Sequence, residues 1–271
     1  MPDREKHEEV LLTLEKAFSV LEELARHREV GVCSLAKALG YKRTSTHRIL
    51  ATLKKLGYVS QDSESGKYRL ALRLFELGSR VVERLGLKEQ ASFAMKMLAL
   101  KYNETVNLAL LDGMEIVYID KIESSEPLRM GLRVGTRVPA HCSALGKALL
   151  AQLSREDLDR YLEHAQLERY TPSTIVTKSE LKHELEQIRR QGFSLDNEEY
   201  ILGIRCVSAP IYNHRSETVA AVSIAGPSMR LDLQRIYNEV APDVIQCARH
   251  ISAALGYSPI EQRTDHLAGG R

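Results

Sequence analysis

The chain has 271 residues, of which 44% are hydrophobic and 27% charged, and its formal net charge is +2 at pH 7. These values predict a globular protein of about two domains. The polar start MPDREKHEEV excludes a signal peptide, and no apolar run is long enough to cross a bilayer, so we expect a cytoplasmic protein with no membrane partner. The four cysteines are widely spaced and lack a CxxC pair, which favours free thiols and indicates neither a metal site nor a cofactor.

The first predicted helix spans residues 8–27. Its apolar residues recur at helical spacing, and we expect this face to pack behind the next two helices in a three-helix core. The residues of the face are Leu14, Ala17, Phe18, Leu21, Leu24 and Ala25.

A helix-turn-helix is predicted between Ser34 and Val59. Ser34 is placed to cap the first helix, and Gly40 ends it because a residue without a Cβ adopts the left-handed conformation of a sharp turn. The second helix begins near Lys42. One face of it is apolar and predicted to be buried, with Ile49, Leu50, Leu53 and Leu56 at three- and four-residue spacing.

The start of this second helix is crowded with side-chain donors, and no Asp or Glu occurs between Gly31 and Ser60. The basicity is therefore local, as expected for a helix that docks in the major groove of double-stranded DNA. An ordinary solvated helical hairpin also explains a short basic run, but here the turn, the donors and the charge coincide. The candidate DNA contacts are Lys42, Arg43, Thr44, Ser45, His47 and Arg48 in the first turns, Lys54 near the end and Lys67 beyond it.

A β-hairpin directly after this recognition helix is predicted over residues 58–61 and 68–71, around a turn-rich loop. Such a hairpin is a wing. It either contacts the flanking phosphates through Lys67 or Arg69, or it only covers the small core. We place the DNA-binding domain at residues 8–71.

A linker helix is predicted over residues 72–86, and Gly86 ends it. Its apolar residues serve either a core within the chain or a dimer contact, and the pattern does not choose between them. Residues 87–257 predict an α+β domain around an antiparallel sheet, and residues 258–271 a disordered tail. β-prone runs occupy 106–111, 116–122, 128–134, 193–198, 206–212 and 218–225, and helical patterns occupy 88–102, 143–153, 154–164, 179–191 and 231–255.

Ser143, Ala144 and Leu145 begin one of these helices. The free N–H groups and the dipole of a helix start favour an anion such as a carboxylate, although most helix starts bind only water. The segment is not a phosphate loop, because that motif needs glycine at the position of His141 and serine or threonine at Ala148.

A second polar group lies around the last predicted strands, where Asp196, Cys206 and Ser223 occur. Together with His141, Asp196 and Cys206 could form a Cys-His-Asp hydrolase site. Nothing in the sequence places His141 beside Cys206, and a buried small thiol is the simpler role for a cysteine in an ordinary strand pattern.

Four motifs, in this order and spacing, resemble those of the IclR (isocitrate lyase regulator) family of bacterial transcription factors, over about residues 11–257. They are LAKALGYKRTSTHRILATLKKLGYV, HCSALGKALLA, DNEEYILGIRCVSAPIY and VAAVSIAGP. Within the family, YIDKIES and KYRLALRLFELGSR look most like segments of regulators of sugar-acid catabolism, such as that of 2-keto-3-deoxygluconate.

The resemblance implies a winged helix-turn-helix, a linker helix and an effector-binding domain with a GAF-like (profilin-like) sheet. It also implies homodimers that pair into homotetramers on operator DNA, and a small organic acid as effector. The matching effector-binding positions are Ser143, Ala144, Leu145, Asp196, Cys206 and Ser223, with Met130 as an apolar wall on the neighbouring strand. Where some members have a second serine two residues after Ser223, this chain has Ala225.

We therefore predict a ligand-responsive transcriptional regulator that is not an enzyme, and we favour repression. One alternative is a small-molecule-modifying enzyme fused to a DNA-binding domain, which turnover of a candidate acid would indicate. Another is a non-specific nucleoid protein, which would bind operator and random DNA equally at matched salt.

Overall fold

The structure is a computed structural model that describes residues 11–83 and 86–258. The chain divides into two compact units, and the division falls between residues 84 and 85. No helix of the described residues is long and apolar enough to cross a membrane. The predicted start of the first helix at residues 8–10, and all of the predicted tail except residue 258, lie outside the described residues.

The first unit contains three helices, a hairpin and a fourth helix. They are α1 (Leu12–Ala25), α2 (Val32–Ala38), α3 (Arg43–Lys55), β1 (Val59–Gln61), β2 (Tyr68–Leu70) and α4 (Arg73–Glu83). Leu24, Leu35 and Leu50 are fully buried and meet in one core, which the hairpin residues Val59 and Tyr68 join. This arrangement confirms the predicted helix-turn-helix and wing.

Two details of the first unit correct the predictions and a third confirms one. Helix α2 begins at Val32, because Gly31 takes the extended conformation of an N-cap, so Ser34 lies inside the helix and does not cap it. Leu56 is the C-cap of α3 and is 49% exposed, because the helix ends before its side chain can turn inward. Gly40 has a φ of +67°, as the sharp turn requires.

The buried face of α1 also differs from the predicted one. Val20 and Leu24 are fully buried, whereas Leu14 is 55% and Phe18 58% exposed, and Ala25 is exposed as well. The apolar stripe of α1 is wider than the surface that α2, α3 and the hairpin cover. The remainder of the stripe therefore faces outward in this unit.

The second unit is built on a six-stranded antiparallel sheet in the order β5-β4-β3-β8-β7-β6. Its elements are α5 (Leu87–Tyr102), β3 (Thr105–Asp112), β4 (Glu115–Ile122), β5 (Arg137–Pro139), α6 (Ala144–Leu150), α7 (Arg155–His164), α8 (Lys178–Gln191), β6 (Ser194–Asn197), β7 (Ile204–Tyr212), β8 (Thr218–Pro227), α9 (Leu233–Arg235) and α10 (Ala241–Ala254). A 3-10 turn (Ala140–Cys142) precedes α6, and a π-helical segment (Ile236–Val240) joins α9 to α10. The predicted α+β class is confirmed.

The strand predicted over residues 128–134 is absent, and this part of the chain is a loop. The edge of the sheet beside β4 is taken by β5 instead, and the loop is held by isolated hydrogen bonds. Arg230 Nη2 donates to the Leu128 carbonyl over 2.9 Å, and Lys121 Nζ donates to that of Leu132 over 2.8 Å. Met130 therefore lies on a loop rather than on a strand.

Helix α6 contributes the predicted residues Ala144 and Leu145 to the candidate site, and Ser143 is its N-cap. All seven of its residues are buried. Leu145 and Leu149 pack into a core with α7, α8 and the sheet, while Ala144 contacts Cys206 and Ala225. The start of α6 thus rests on the face of the sheet that carries Cys206.

Candidate functional site

The N-terminal turns of α3 form an exposed polar surface on the first unit. Lys42, Arg43, Thr44, His47 and Arg48 are exposed and Ser45 is half-buried. The N-cap, Lys42, makes no side-chain capping hydrogen bond, so the first N–H groups of the helix are open to an anion such as a phosphate. The predicted base- and phosphate-contacting residues therefore share one accessible surface.

Two further candidates, Lys54 and Lys67, have partners within the unit. Lys54 Nζ donates to Gln61 Oε1 over 2.9 Å, and Lys67 Nζ forms an ion pair with Glu29 Oε1 over 2.9 Å. The wing also contributes Val59 and Tyr68 to the core. Both lysines remain partly exposed, and a phosphate would have to compete with these contacts.

In the second unit, one cavity is lined by all the residues that the resemblance assigns to the effector. Two tyrosines, Tyr118 and Tyr200, complete the lining. The predicted members are Met130, Ser143, Ala144, Leu145, Asp196, Cys206 and Ser223. Residues that lie up to 93 positions apart in the sequence, from Met130 to Ser223, thus converge on one space.

The cavity is nearly closed. Its volume is about 10 Å³, which is room for a single water molecule. A small acid can therefore enter only after some lining side chains have moved. Met130 is the lining residue that lies on the loop between β4 and β5, and it is 7% exposed.

The polar end of the cavity is organised by Asp196. Its Oδ1 accepts a hydrogen bond from the backbone N–H of Glu199 over 2.7 Å, and its side chain is buried. Burial, followed by the nearby Glu199 carboxylate, raises the pKa of Asp196 to about 7. The carboxyl is therefore half protonated near neutral pH, and its protonated form can lie beside an anionic ligand.

A buried ion-pair network holds the turn after β6, which contains Glu199. Lys147, which is fully buried in α6, lies 2.6 Å from Glu199 Oε1 and 3.0 Å from Glu184 Oε1. Burial alone would lower the pKa of Lys147, but the two carboxylates outweigh that effect and raise it above the ordinary lysine value. The network ties α6, α8 and the turn after β6 together around the cavity.

In the alternative of a Cys-His-Asp hydrolase, Cys206 would be the nucleophile. Burial, with Asp196 nearby, raises the pKa of the Cys206 thiol well above its ordinary value, so the thiolate is disfavoured. The His141 Nε2 atom lies 3.0 Å from the carbonyl oxygen of Glu168. Burial also lowers the pKa of His141. Among the described residues, no group of three or more His, Cys, Asp or Glu side chains could hold a metal ion.

Tyr118 and Tyr200 were not predicted as site residues, although both lie within the quoted motifs. Strand β4 is irregular beside Leu108 and Ala109, so Lys121 pairs with Asn107 while Tyr118 pairs with Ala109. Three residues apart, Tyr118 and Lys121 would point to opposite faces of a regular strand. The irregularity brings both to the face of the cavity, and alternation alone could not predict this.

The chain matches two sequence families over most of its length. Residues 13–63 match the IclR helix-turn-helix domain, and residues 79–253 match the C-terminal domain of the bacterial transcriptional regulator IclR. These matches fall on the unit with the recognition helix and on the unit with the cavity.

Individual proteins are similar over nearly the whole chain. The HTH-type transcriptional regulator KdgR of Escherichia coli K12 is 38% identical over 255 residues, which are 94% of this chain and 97% of that protein. The transcriptional repressor IclR of the same strain is 34% identical over 247 residues, or 90% of each chain. The crystal structure of Thermotoga maritima IclR has a TM-score of 0.77 at 34% identity and covers 91% of this chain and 99% of that one.

Proposed function

Because the chain belongs to the IclR family of bacterial transcriptional regulators, we propose that it is a repressor whose hold on operator DNA is controlled by a small hydroxy or keto acid. Membership of this family establishes that the protein is a ligand-responsive regulator. Repression is favoured because one similar protein is itself named a transcriptional repressor. Since the operator lies in the cytoplasm of a bacterium, we expect the protein there.

The observation that supports this proposal is the convergence of Ser143, Asp196 and Ser223 on one small cavity. The backbone N–H groups of Ser143 to Leu145 would hold the carboxylate. Helix α6 has seven residues, and Ser143 Oγ accepts from the Gly146 N–H, which lies one residue beyond these three. Asp196 would accept from a ligand hydroxyl or, when protonated, donate to the acid. A sugar acid supplies such hydroxyls, in agreement with the resemblance of YIDKIES to regulators of 2-keto-3-deoxygluconate catabolism.

We do not expect catalysis from this cavity. The thiol of Cys206 keeps its proton, and His141 is engaged with a backbone carbonyl. The residues around a bound acid would instead stabilise it and couple its presence to the DNA-binding unit. Unchanged acid recovered from the operator-release assay described below would agree with this expectation.

An oligomer is part of the proposal, because one small winged-helix unit contacts too few base pairs for operator affinity. Each unit has an exposed apolar surface that could form a contact between chains in such an oligomer. On α4 and just before it, Phe75 is 72% and Leu72 80% exposed, and on α5 Phe93 is 75% and Leu100 78% exposed. We propose that homodimers form through the first surface and that these pair into homotetramers through the second. The number of chains in each operator complex measures the size of the assembly.

The first prediction concerns DNA. Arg43→Ala should weaken operator binding by about 1–3 kcal/mol if Arg43 reads a guanine, and should weaken binding to random DNA less. Lys54→Ala should weaken both similarly and lower the salt slope by about one, because a phosphate contact carries no sequence information. Fluorescence anisotropy with both DNAs at several salt concentrations measures these effects. Equal losses on both DNAs for Arg43→Ala would make it a phosphate contact.

The experiment that tests the proposed site is operator release titrated with candidate acids, 2-keto-3-deoxygluconate first. Ser223→Ala should require about threefold to twentyfold more acid, because one hydrogen bond is lost that is worth roughly 0.5–1.5 kcal/mol with a neutral partner and somewhat more with a charged one. Operator affinity without acid should not change, since Ser223 lies in the second unit. The site is elsewhere if Ser223→Ala responds at wild-type concentrations.

The third prediction is a pH dependence. Because the pKa of Asp196 is about 7, an anionic acid should bind best at lower pH and lose affinity as the pH rises above that value, by up to about tenfold per unit. Asp196→Asn imitates the protonated form and should flatten the profile. Isothermal titration between about pH 6 and pH 8 measures it. A profile of equal slope in both proteins would remove Asp196 from the site.

A further inference from the structure

We infer that the side-chain amide of Asn107 donates a hydrogen bond to a second oxygen of the effector, beyond its carboxylate, and so selects hydroxylated acids over plain ones. The inference rests on the proposed function, because it extends the same cavity. It adds a residue that neither the motifs nor the lining of the closed cavity contains.

The first observation is a missing partner. Asn107 is 2% exposed, and its Nδ2 atom is buried without a hydrogen-bond acceptor. In the part of the chain that the structure describes, the only other buried side-chain atom in this condition is Glu199 Oε2, and the second oxygen of that carboxylate is paired with Lys147. A buried amide donor is normally satisfied, so an unpaired one is open to a partner from outside the chain, which is either water or a ligand oxygen.

The second observation is the position of Asn107 on the sheet. It pairs directly with Ser223 of β8, which lines the cavity, and two positions along β3 Ala109 pairs with Tyr118, which lines it as well. Directly opposite residues point to the same face, with their Cβ atoms about 4.5–5.5 Å apart. Asn107 therefore extends the cavity wall along the row that begins with Ser223.

The polar residues that flank Ser223 and Asn107 in this row are already occupied. Ser208, on the far side of Ser223, donates through Oγ to the Val222 carbonyl over 2.9 Å. Lys121, on the far side of Asn107, donates to the Leu132 carbonyl and forms an ion pair with Glu123. Besides the Ser223 hydroxyl, which the proposed site already assigns to the acid, the amide of Asn107 is thus the donor of this row that a ligand can take without breaking a contact within the chain.

The chemistry of the ligand follows from the donor. An N–H group needs an acceptor, and the carboxylate of the acid is already assigned to the start of α6. A hydroxyl oxygen further along the carbon chain would satisfy Asn107, whereas a methylene group there would leave the amide unpaired at a cost to binding. We therefore assign the effector to the hydroxylated acids with an oxygen on the carbon chain.

The test compares two acids of equal carbon number, 2-keto-3-deoxygluconate and 2-oxohexanoate, which lacks the chain hydroxyls. Wild type should bind the hydroxylated acid more tightly. Asn107→Leu should weaken its binding by about threefold to twentyfold and leave 2-oxohexanoate unchanged. Without acid the variant should melt at the wild-type temperature or above it, because a buried donor without a partner has been removed. Asn107→Ala, which cannot overpack the site, should show the same change in preference.

Ser208→Ala is the matched control, since its hydroxyl already has a partner, and the preference between the two acids should not change. Equal loss of both acids in the Asn107 variants, or no loss of either, would overturn the inference, as would wild type without a preference. The proposed site would fail separately, if Ser223→Ala left the binding of both acids unchanged.

Discussion

Lys147→Met is expected to destabilise the second unit by about 3–5 kcal/mol, which is a large part of the stability of an ordinary domain. Methionine fills a similar unbranched volume, so the packing of α6 is largely kept. What is lost is the cation 2.6 Å from Glu199 and 3.0 Å from Glu184. Glu199 is 6% exposed and Asp196 3%, so water cannot replace that cation.

The loss should depend on pH in a defined direction. Lys147 lowers the pKa of Asp196, so its removal should raise that pKa further above about 7, from an ordinary value of 3.8. A carboxyl whose folded pKa is raised contributes its full stability below the unfolded pKa and loses it as the pH rises through the folded pKa. The gap between Lys147→Met and wild type should therefore be smallest near about pH 5 and widest above about pH 8.

Urea unfolding followed by circular dichroism at several pH values measures this gap. Lys182→Met is the matched control, because Lys182 pairs with Asp159 over 2.8 Å at an exposed position and should matter little. The double variant Lys147→Met with Glu199→Gln should recover part of the loss, since it removes the unpaired charge. A gap that is constant with pH, or no recovery, would mean that packing rather than charge is responsible.

The elements predicted best are those with a local chemical cause. Ser154 Oγ accepts from the Asp157 N–H at the start of α7, the helix predicted over residues 154–164, and Gly40 adopts the predicted left-handed turn. Two of the predictions that were wrong depended on what packs nearby. The face of α1 that contains Phe18 is apolar but uncovered in its own unit, and the residues around Met130 are β-prone but have no free edge of β4 along them.

Some residues of the candidate site could be predicted from the sequence, and others could be identified only in the structure. Motif resemblance supplied residues such as Asp196 and Ser223, which lie far apart in the sequence and which no periodicity could join. It did not supply Tyr118, because the irregularity in β4 decides which face that side chain takes. Asn107 was also out of reach, since an unpaired buried amide is visible only once its neighbours are placed.

Gly146→Ala should be the most damaging substitution of a small residue in the second unit. A Cβ at Gly146 would lie 2.2 Å from the carbonyl oxygen and 2.3 Å from the Cα of Ala140, and both are backbone atoms of the turn before α6. Neither can rotate away, so α6 must move from the turn that leads into the cavity.

Overpacking of a core costs about 1–3 kcal/mol and occasionally more, and an overlap with backbone belongs at the upper end, so we expect a loss above about 3 kcal/mol together with loss of acid binding. Gly78→Ala is the control, because Gly78 also lies in a helix but, among the described residues outside its chain neighbours and its own helix backbone, no atom lies within 4 Å of its would-be Cβ. It should be stabilised by roughly 0.4–1 kcal/mol through the reduced entropy of the unfolded chain. Thermal melts of both variants, with and without acid, make the comparison. Should Gly146→Ala melt like Gly78→Ala and still bind the acid, the contact between α6 and its preceding turn would not shape the cavity.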